Sequence, residues 1–281
     1  MGMARTAFIG GNNVEALAYY NRVLEVEPEW AEAWIGKGKA AGWQSTLANF
    51  RFGEMLIAFN HAIASASDDE KPRFVIEAVE EVNRVVAALY SMARNHMIEY
   101  VALDNSWLTY LGQVSEMLDV LESARLWSPD TRVTLDNIVH LCKDNIEGFS
   151  YRDPYNNNTP SLHGITPAYE QLLKTRMDQA IAVIRALDPT YAPPAIQKKT
   201  ADACFVVTAT LGDFDHPDVT LLRRFRDVWL SKRPSGRLAV RAYYRIGPLV
   251  ADIIRDRPAL RRWSRRLIVH PAADFARKRL D

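Results

Sequence analysis

Six apolar residues, Val75, Val79, Val82, Val86, Leu89 and Ala93, recur at alternating four- and three-residue steps. An α-helix gathers positions so spaced onto one stripe, whereas a strand would scatter them over both faces. After Leu103-Asp104-Asn105-Ser106 the spacing returns in Trp107, Leu111, Val114, Leu118 and Leu121. Two such seams joined by a short turn predict an antiparallel pair of long helices. Ser67-Asp68-Asp69 and Pro72 mark the start of the first, since acids and an early proline suit a first helical turn. A third helix is predicted from near Asp130, with Leu135, Ile138, Val139, Cys142 and Ile146 on one face. The chain is therefore expected to be all-α.

Composition agrees. Of 281 residues, 48% are hydrophobic and 25% charged, which are globular values and argue against wholesale disorder. The two cysteines, Cys142 and Cys204, form no CxxC pair, so a disulfide framework or a zinc cage is not expected. No run approaches the roughly 18 uninterrupted apolar residues of a spanning helix. Met1 to Phe8 holds no apolar run of signal-peptide length. A cytoplasmic setting with reduced thiols fits these features.

Breaks divide the chain. Tyr151-Arg152-Asp153-Pro154-Tyr155-Asn156-Asn157-Asn158-Thr159-Pro160 reads as a loop on its Asn and Pro density. Thr166-Pro167 opens a further helix reaching Leu187, and a second break at Pro189 to Lys199 is the expected boundary. An acidic helical domain over 12–190 and a basic module over 200–281 result. Residues Leu221 to Asp281 carry 17 of the 35 Lys and Arg but 5 of the 34 Asp and Glu. That is a formal +12, against −11 for the remainder, and each part projects a field of opposite sign.

Two stretches carry resemblances. The first runs from Val14 to Pro28, with Ala16, Tyr20 and Val23 at small, aromatic and small-apolar positions, and continues into Ala31-Glu32-Ala33-Trp34 and Gly38. It resembles a tetratricopeptide repeat over residues 12 to 67, about one and a half units. Phe59 and Ala62 come about five residues too late for the 34-residue period. Stacked repeats need neighbours to bury a shared core, so the following helices are expected to complete a long-helix bundle. The second is Cys204-Phe205-Val206-Val207-Thr208-Ala209-Thr210-Leu211-Gly212-Asp213, continued by His216-Pro217-Asp218, Gly236-Arg237, Arg241-Ala242-Tyr243-Tyr244-Arg245 and Pro248. It resembles the bacterial CFI-box C-terminal domain, with Val206 in place of that motif's isoleucine and Thr210-Leu211 where an Ala-Tyr pair is usual. The resemblance implies a module and no particular reaction.

Candidate chemistry is sparse. Cys204 as nucleophile with His216 as base is one reading, and a packed thiol among Ala, Phe and Val is the favoured one. Asp213, Asp215, His216 and Asp218 offer oxygen ligands but lack the central Gly and terminal Glu of a calcium loop. A helix cap at Asp215, before Pro217, explains them better. No metal and no cofactor are expected. From Pro258 onward, Leu260, Trp263, Leu267 and Ile268 share one face while Arg261, Arg262, Arg265 and Arg266 surround it. Packing of that stripe on the module, with the guanidiniums meeting the acidic domain or a partner protein, is preferred to an anionic membrane surface, and that in turn to nucleic acid. The function expected is a non-enzymatic adaptor holding a protein or peptide through Tyr20, Trp34, Arg261, Arg262, Trp263, Arg265 and Arg266, cytoplasmic or peripheral at a membrane. The alternatives are activity or modification at Cys204, and membrane or nucleic-acid binding through the arginines. A second copy of the chain is a further candidate partner.

Overall fold

The computed structural model describes residues 1–155, 159–199, 205–211, 216–255 and 257–280. About 75% of the described residues are helical, and among them the one sheet has two strands. Two compact units are present, residues 1–155 with 163–199 and residues 156–162 with 200–281.

The first unit, the body, opens with α1 (Gly2–Ile9), α2 (Asn13–Val26), α3 (Ala31–Gly42) and α4 (Phe52–Ser65). Asn12 caps α2, its side-chain oxygen accepting from the Glu15 amide at 3.2 Å while its Nδ2 donates to the Glu15 carboxylate at 2.8 Å. Small residues on α3 admit its neighbours. A Cβ at Gly36 would stand 2.2 Å from Tyr20 Cζ, and one at Gly38 would stand 2.4 Å from Phe59 Cε1. Those spaces hold the Tyr20 ring from α2 and the Phe59 ring from α4.

The long helices follow as α5 (Lys71–Glu99), α6 (Ser106–Arg125), α7 (Arg132–Glu147) and α8 (Pro167–Leu187). Pro72 lies in the first turn of α5, and Thr166 Oγ1 accepts from the Tyr169 amide at 3.3 Å to start α8. Val82, Val86, Leu89, Leu118, Leu121, Leu135, Ile138 and Ile184 fill the interior. Each contributes about 1.5–3 kcal/mol by leaving water. Two polar side chains inside, Asn83 and Glu81, are paired. Buried Asn83 donates to Val79 O and Thr134 Oγ1, both at 2.8 Å, and accepts from Asn137 at 2.8 Å. Buried Glu81 accepts from Trp43 at 2.5 Å and from Arg84 at 2.9 Å.

The expected loop after α7 contains a hairpin instead: β1 (Phe149–Asp153) pairs with β2 (Thr159–His163). Aromatic stacking accounts for it. The His163 ring lies between Tyr151, with centroids 4.6 Å apart, and Trp107, at 5.4 Å. His163 Nε2 meets Val101 O at 2.6 Å, and Trp107 Nε1 donates to Gly164 O at 2.9 Å. Gly148, at φ +74°, makes the turn into β1, where a Cβ would come within 2.5 Å of His163 O.

The second unit, the module, contains α9 (Phe205–Leu211), α10 (Pro217–Phe225), α11 (Pro234–Arg255), α12 (Pro258–Ser264) and α13 (His270–Leu280). The short apolar run after Cys204 is thus helical. Single π turns, Arg226–Leu230 and Arg265–Val269, extend α10 and join α12 to α13. Val207, Val219, Leu222, Phe225, Val269 and Ala276 form the core. Phe225, Trp229 and Phe275 stack beside it, with centroids 5.1 to 5.9 Å apart.

Candidate binding surfaces

Tyr20 and Trp34, the contact residues expected in the repeat-like region, are built into the fold. Tyr20 is 4% exposed, its ring filling the space above Gly36. Trp34 donates through Nε1 to Pro28 O at 2.6 Å and stacks on His61 at 4.4 Å. Both rings are therefore committed to joining helices. The Tyr20 ring forms part of the floor of a cleft of about 320 Å³ whose rim carries Arg5, Glu32, Lys39, Arg73 and Glu77. These charges already neutralise one another: Arg5 meets Glu32 at 2.6 Å and Lys39 meets Glu77 at 2.5 Å.

A larger groove, of about 620 Å³, runs along α5. Ile76, Val79, Glu80, Asn83, Arg84 and Ala87 line it at helical spacing, opposite Val133 and Asn137 of α7. The twelve residues of α5 from Ile76 to Ala87 give it a length of about 16 Å, three turns of a helix. Ile76 and Val133 are 59% and 58% exposed, so apolar walls face solvent. The amides of Asn83 and Asn137, hydrogen-bonded to each other, form a polar patch on the floor. Periodicity marks Val79 as core; the neighbouring stripe through Ile76, Asn83 and Ala87 carries no sequence signal of a site, because its alternation of apolar and polar residues looks like an ordinary solvated face.

Cys142 is buried, and burial pushes its thiol up to about 12. It is a packing residue. Cys204, Asp213 and Asp215 lie outside the described residues. His216 is itself the cap of α10, its Nδ1 accepting from the Asp218 amide at 3.1 Å. Asp218 is buried and pairs with Arg277 at 2.5 Å, which anchors α10 to α13. Among the described residues no cluster of three or more metal-ligating side chains occurs.

The α12 stripe differs from its expected placement on the module. Trp263, Leu267 and Ile268 are 67%, 60% and 48% exposed. The residues that α12 and α13 bury are Ser264, Val269, Ala273 and Ala276. The π turn explains the choice. One wide turn places Val269 five residues after Ser264 on the inner side, and the bulky stripe is left outside. Ser264 Oγ meets Thr210 Oγ1 of α9 at 2.6 Å, and Arg261 Nε donates to Thr210 O at 3.3 Å. Arg261 is thus partly spent on structure. Arg262, Arg265 and Arg266 are exposed, and no described carboxylate of the module lies within ion-pair distance of them. A depression of about 500 Å³ is lined by Ala259, Arg262, Trp263, Arg266 and Leu267.

No protein-family model matches the sequence, and no curated protein or solved structure matches it. The likenesses to the tetratricopeptide repeat and the CFI-box domain rest on the residues quoted for them. Among the described residues no helix is long and apolar enough to cross a membrane.

Proposed function

We propose that the chain is a non-enzymatic helical adaptor whose body binds the apolar face of an amphipathic helix from a protein or peptide partner. The supporting observation is the groove along α5. Its volume of about 620 Å³ falls in the range of about 300–1,000 Å³ usual for binding pockets. Three turns of apolar wall suit side chains repeating at i, i+3, i+4 and i+7, the pattern by which helices enter grooves. The amide pair on the floor would orient the ligand, since an incoming polar group can share its donors and acceptors. In this reading α2 to α4 form a tetratricopeptide-like platform, with Gly38 as one of the small positions that such hairpins need. The CFI-box-like module is appended to it.

Selection of a displayed peptide library against the full chain tests the proposal. Enriched peptides should share the helical apolar spacing and shift the NMR signals of Ile76, Ala87 and Val133. Ala87→Arg, at an exposed position on the groove wall, should weaken them at least about tenfold. Peptides without that spacing, or binding indifferent to Ala87→Arg, would exclude the groove as the site.

A further inference from the structure

The outward stripe on the module is a second surface, independent of the groove. We propose that it attaches the protein to the surface of an anionic phospholipid bilayer. Four features converge on that occupant. The module, residues 200–281, carries 17 Lys and Arg against 9 Asp and Glu, a formal +8, so it is drawn toward any anionic surface. Arg262, Arg265 and Arg266 are exposed and have no ion-pair partner among the described residues of the module, so their guanidiniums face solvent where phosphate oxygens can reach them. Between them, Trp263, Leu267 and Ile268 stand in solvent within six residues of chain, where folding alone would favour burial. Finally, Arg262 with Arg266, and Trp263 with Leu267, stand one helical turn apart, placing a cationic row beside an apolar row along the depression.

That pairing of rows matches the boundary between headgroups and acyl chains, where Trp and Leu enter the apolar layer and Arg remains with the phosphates. Nucleic acid would satisfy the arginines and Trp263, since bases stack on aromatic rings. It offers nothing to Leu267 and Ile268. An acidic protein would need a complementary apolar pocket, whereas a bilayer supplies apolar depth under every headgroup. The attachment is peripheral, with the helix lying in the interface.

Co-sedimentation of the full chain with vesicles is the test. Vesicles of phosphatidylcholine with about 30% phosphatidylserine should bind the protein, and phosphatidylcholine alone should bind it at least about tenfold more weakly. Arg262→Gln with Arg266→Gln should reduce the affinity about 30-fold, because each basic residue near such a surface is worth several-fold. Trp263→Ser with Leu267→Ser should cause a similar loss that high salt does not reproduce. The two double variants alter exposed side chains, and circular dichroism and melting curves should match those of the parent. Either pair alone decides the matter if the other fails to fold. Duplex DNA and polyglutamate serve as competitors. No binding to anionic vesicles, binding unchanged in both double variants, or preferential binding to DNA or polyglutamate would overturn the proposal.

Discussion

The body and the module are both helical, yet they treat their large apolar side chains differently. In the body, Phe59, Tyr110, Leu118, Leu135, Ile138 and Ile184 are fully buried, and buried polar groups such as Asn83 and Glu81 have partners there. In the module the described residues form a smaller buried cluster, Val207, Val219, Leu222, Phe225, Val269 and Ala276, and Trp263, Leu267 and Ile268 lie outside it in one short stretch. Size is one cause, since a small unit buries a lower fraction of its surface than a large one. Local geometry is the other, because the π turn at Arg265–Val269 decides which stripe faces inward. An apolar stripe at helical spacing is a demand for a cover, and the cover can come from outside the unit. Clustered exposure of that kind is a signature of binding, whereas apolar residues exposed singly are ordinary.

Substitutions in each unit test this contrast. The largest effect is expected at Gly36→Leu, because any Cβ there collides with the buried Tyr20 ring. Overpacking of this severity should cost about 3 kcal/mol or more, visible as a large fall in the thermal midpoint. A midpoint near the parent's would mean that α2 and α3 are not packed as described. Asn83→Ala should cost about 1–3 kcal/mol in urea unfolding, since it strands Thr134 and Asn137 as well as removing the amide. A neutral outcome would show that water satisfies those groups.

The third effect concerns pH. The Cys142 thiol is raised from 9.0 to about 12 by burial, so the folded chain keeps its proton where the unfolded chain releases it. Below pH 9 both states are neutral and the thiol contributes no slope. Between about pH 9 and 12 the unfolded state ionises first, so stability declines as pH rises. Tyr90 and Tyr110 are also raised, chiefly by burial, and add to that decline at the alkaline end. Cys142→Ala should flatten the early part of the fall in unfolding free energy. An unchanged slope near pH 9–10 would show that the thiol reaches water.

Much of the body was legible because its helices obey one period. Val79, Val82, Val86 and Leu89 are buried as their spacing requires, and Pro72 and Thr166-Pro167 stand at the helix starts they signal. What was missed depends on distant partners. Helix α1 has a single buried residue, Ala4, and is held by packing and by Arg5 reaching Glu32, so its own sequence carries almost no periodic signal. The hairpin depends on His163 stacking with Trp107, 56 positions earlier, which no local pattern registers. Tyr20 and Trp34 were legible as special positions, but whether a ring faces a partner or a neighbouring helix depends on the glycines opposite. On α12, periodicity located the stripe correctly and could not say which side would be covered, because a π turn leaves no mark in residue type.

The most direct test compares two aromatic truncations in the full chain by urea or thermal unfolding. Phe59, fully buried against Gly38, should lose about 3–5 kcal/mol on Phe59→Ala. Trp263→Ala should change stability by no more than about 0.5 kcal/mol, because the indole is 67% exposed and contributes little within the fold. Comparable losses from the two substitutions would contradict the account, since they would place Trp263 in a core.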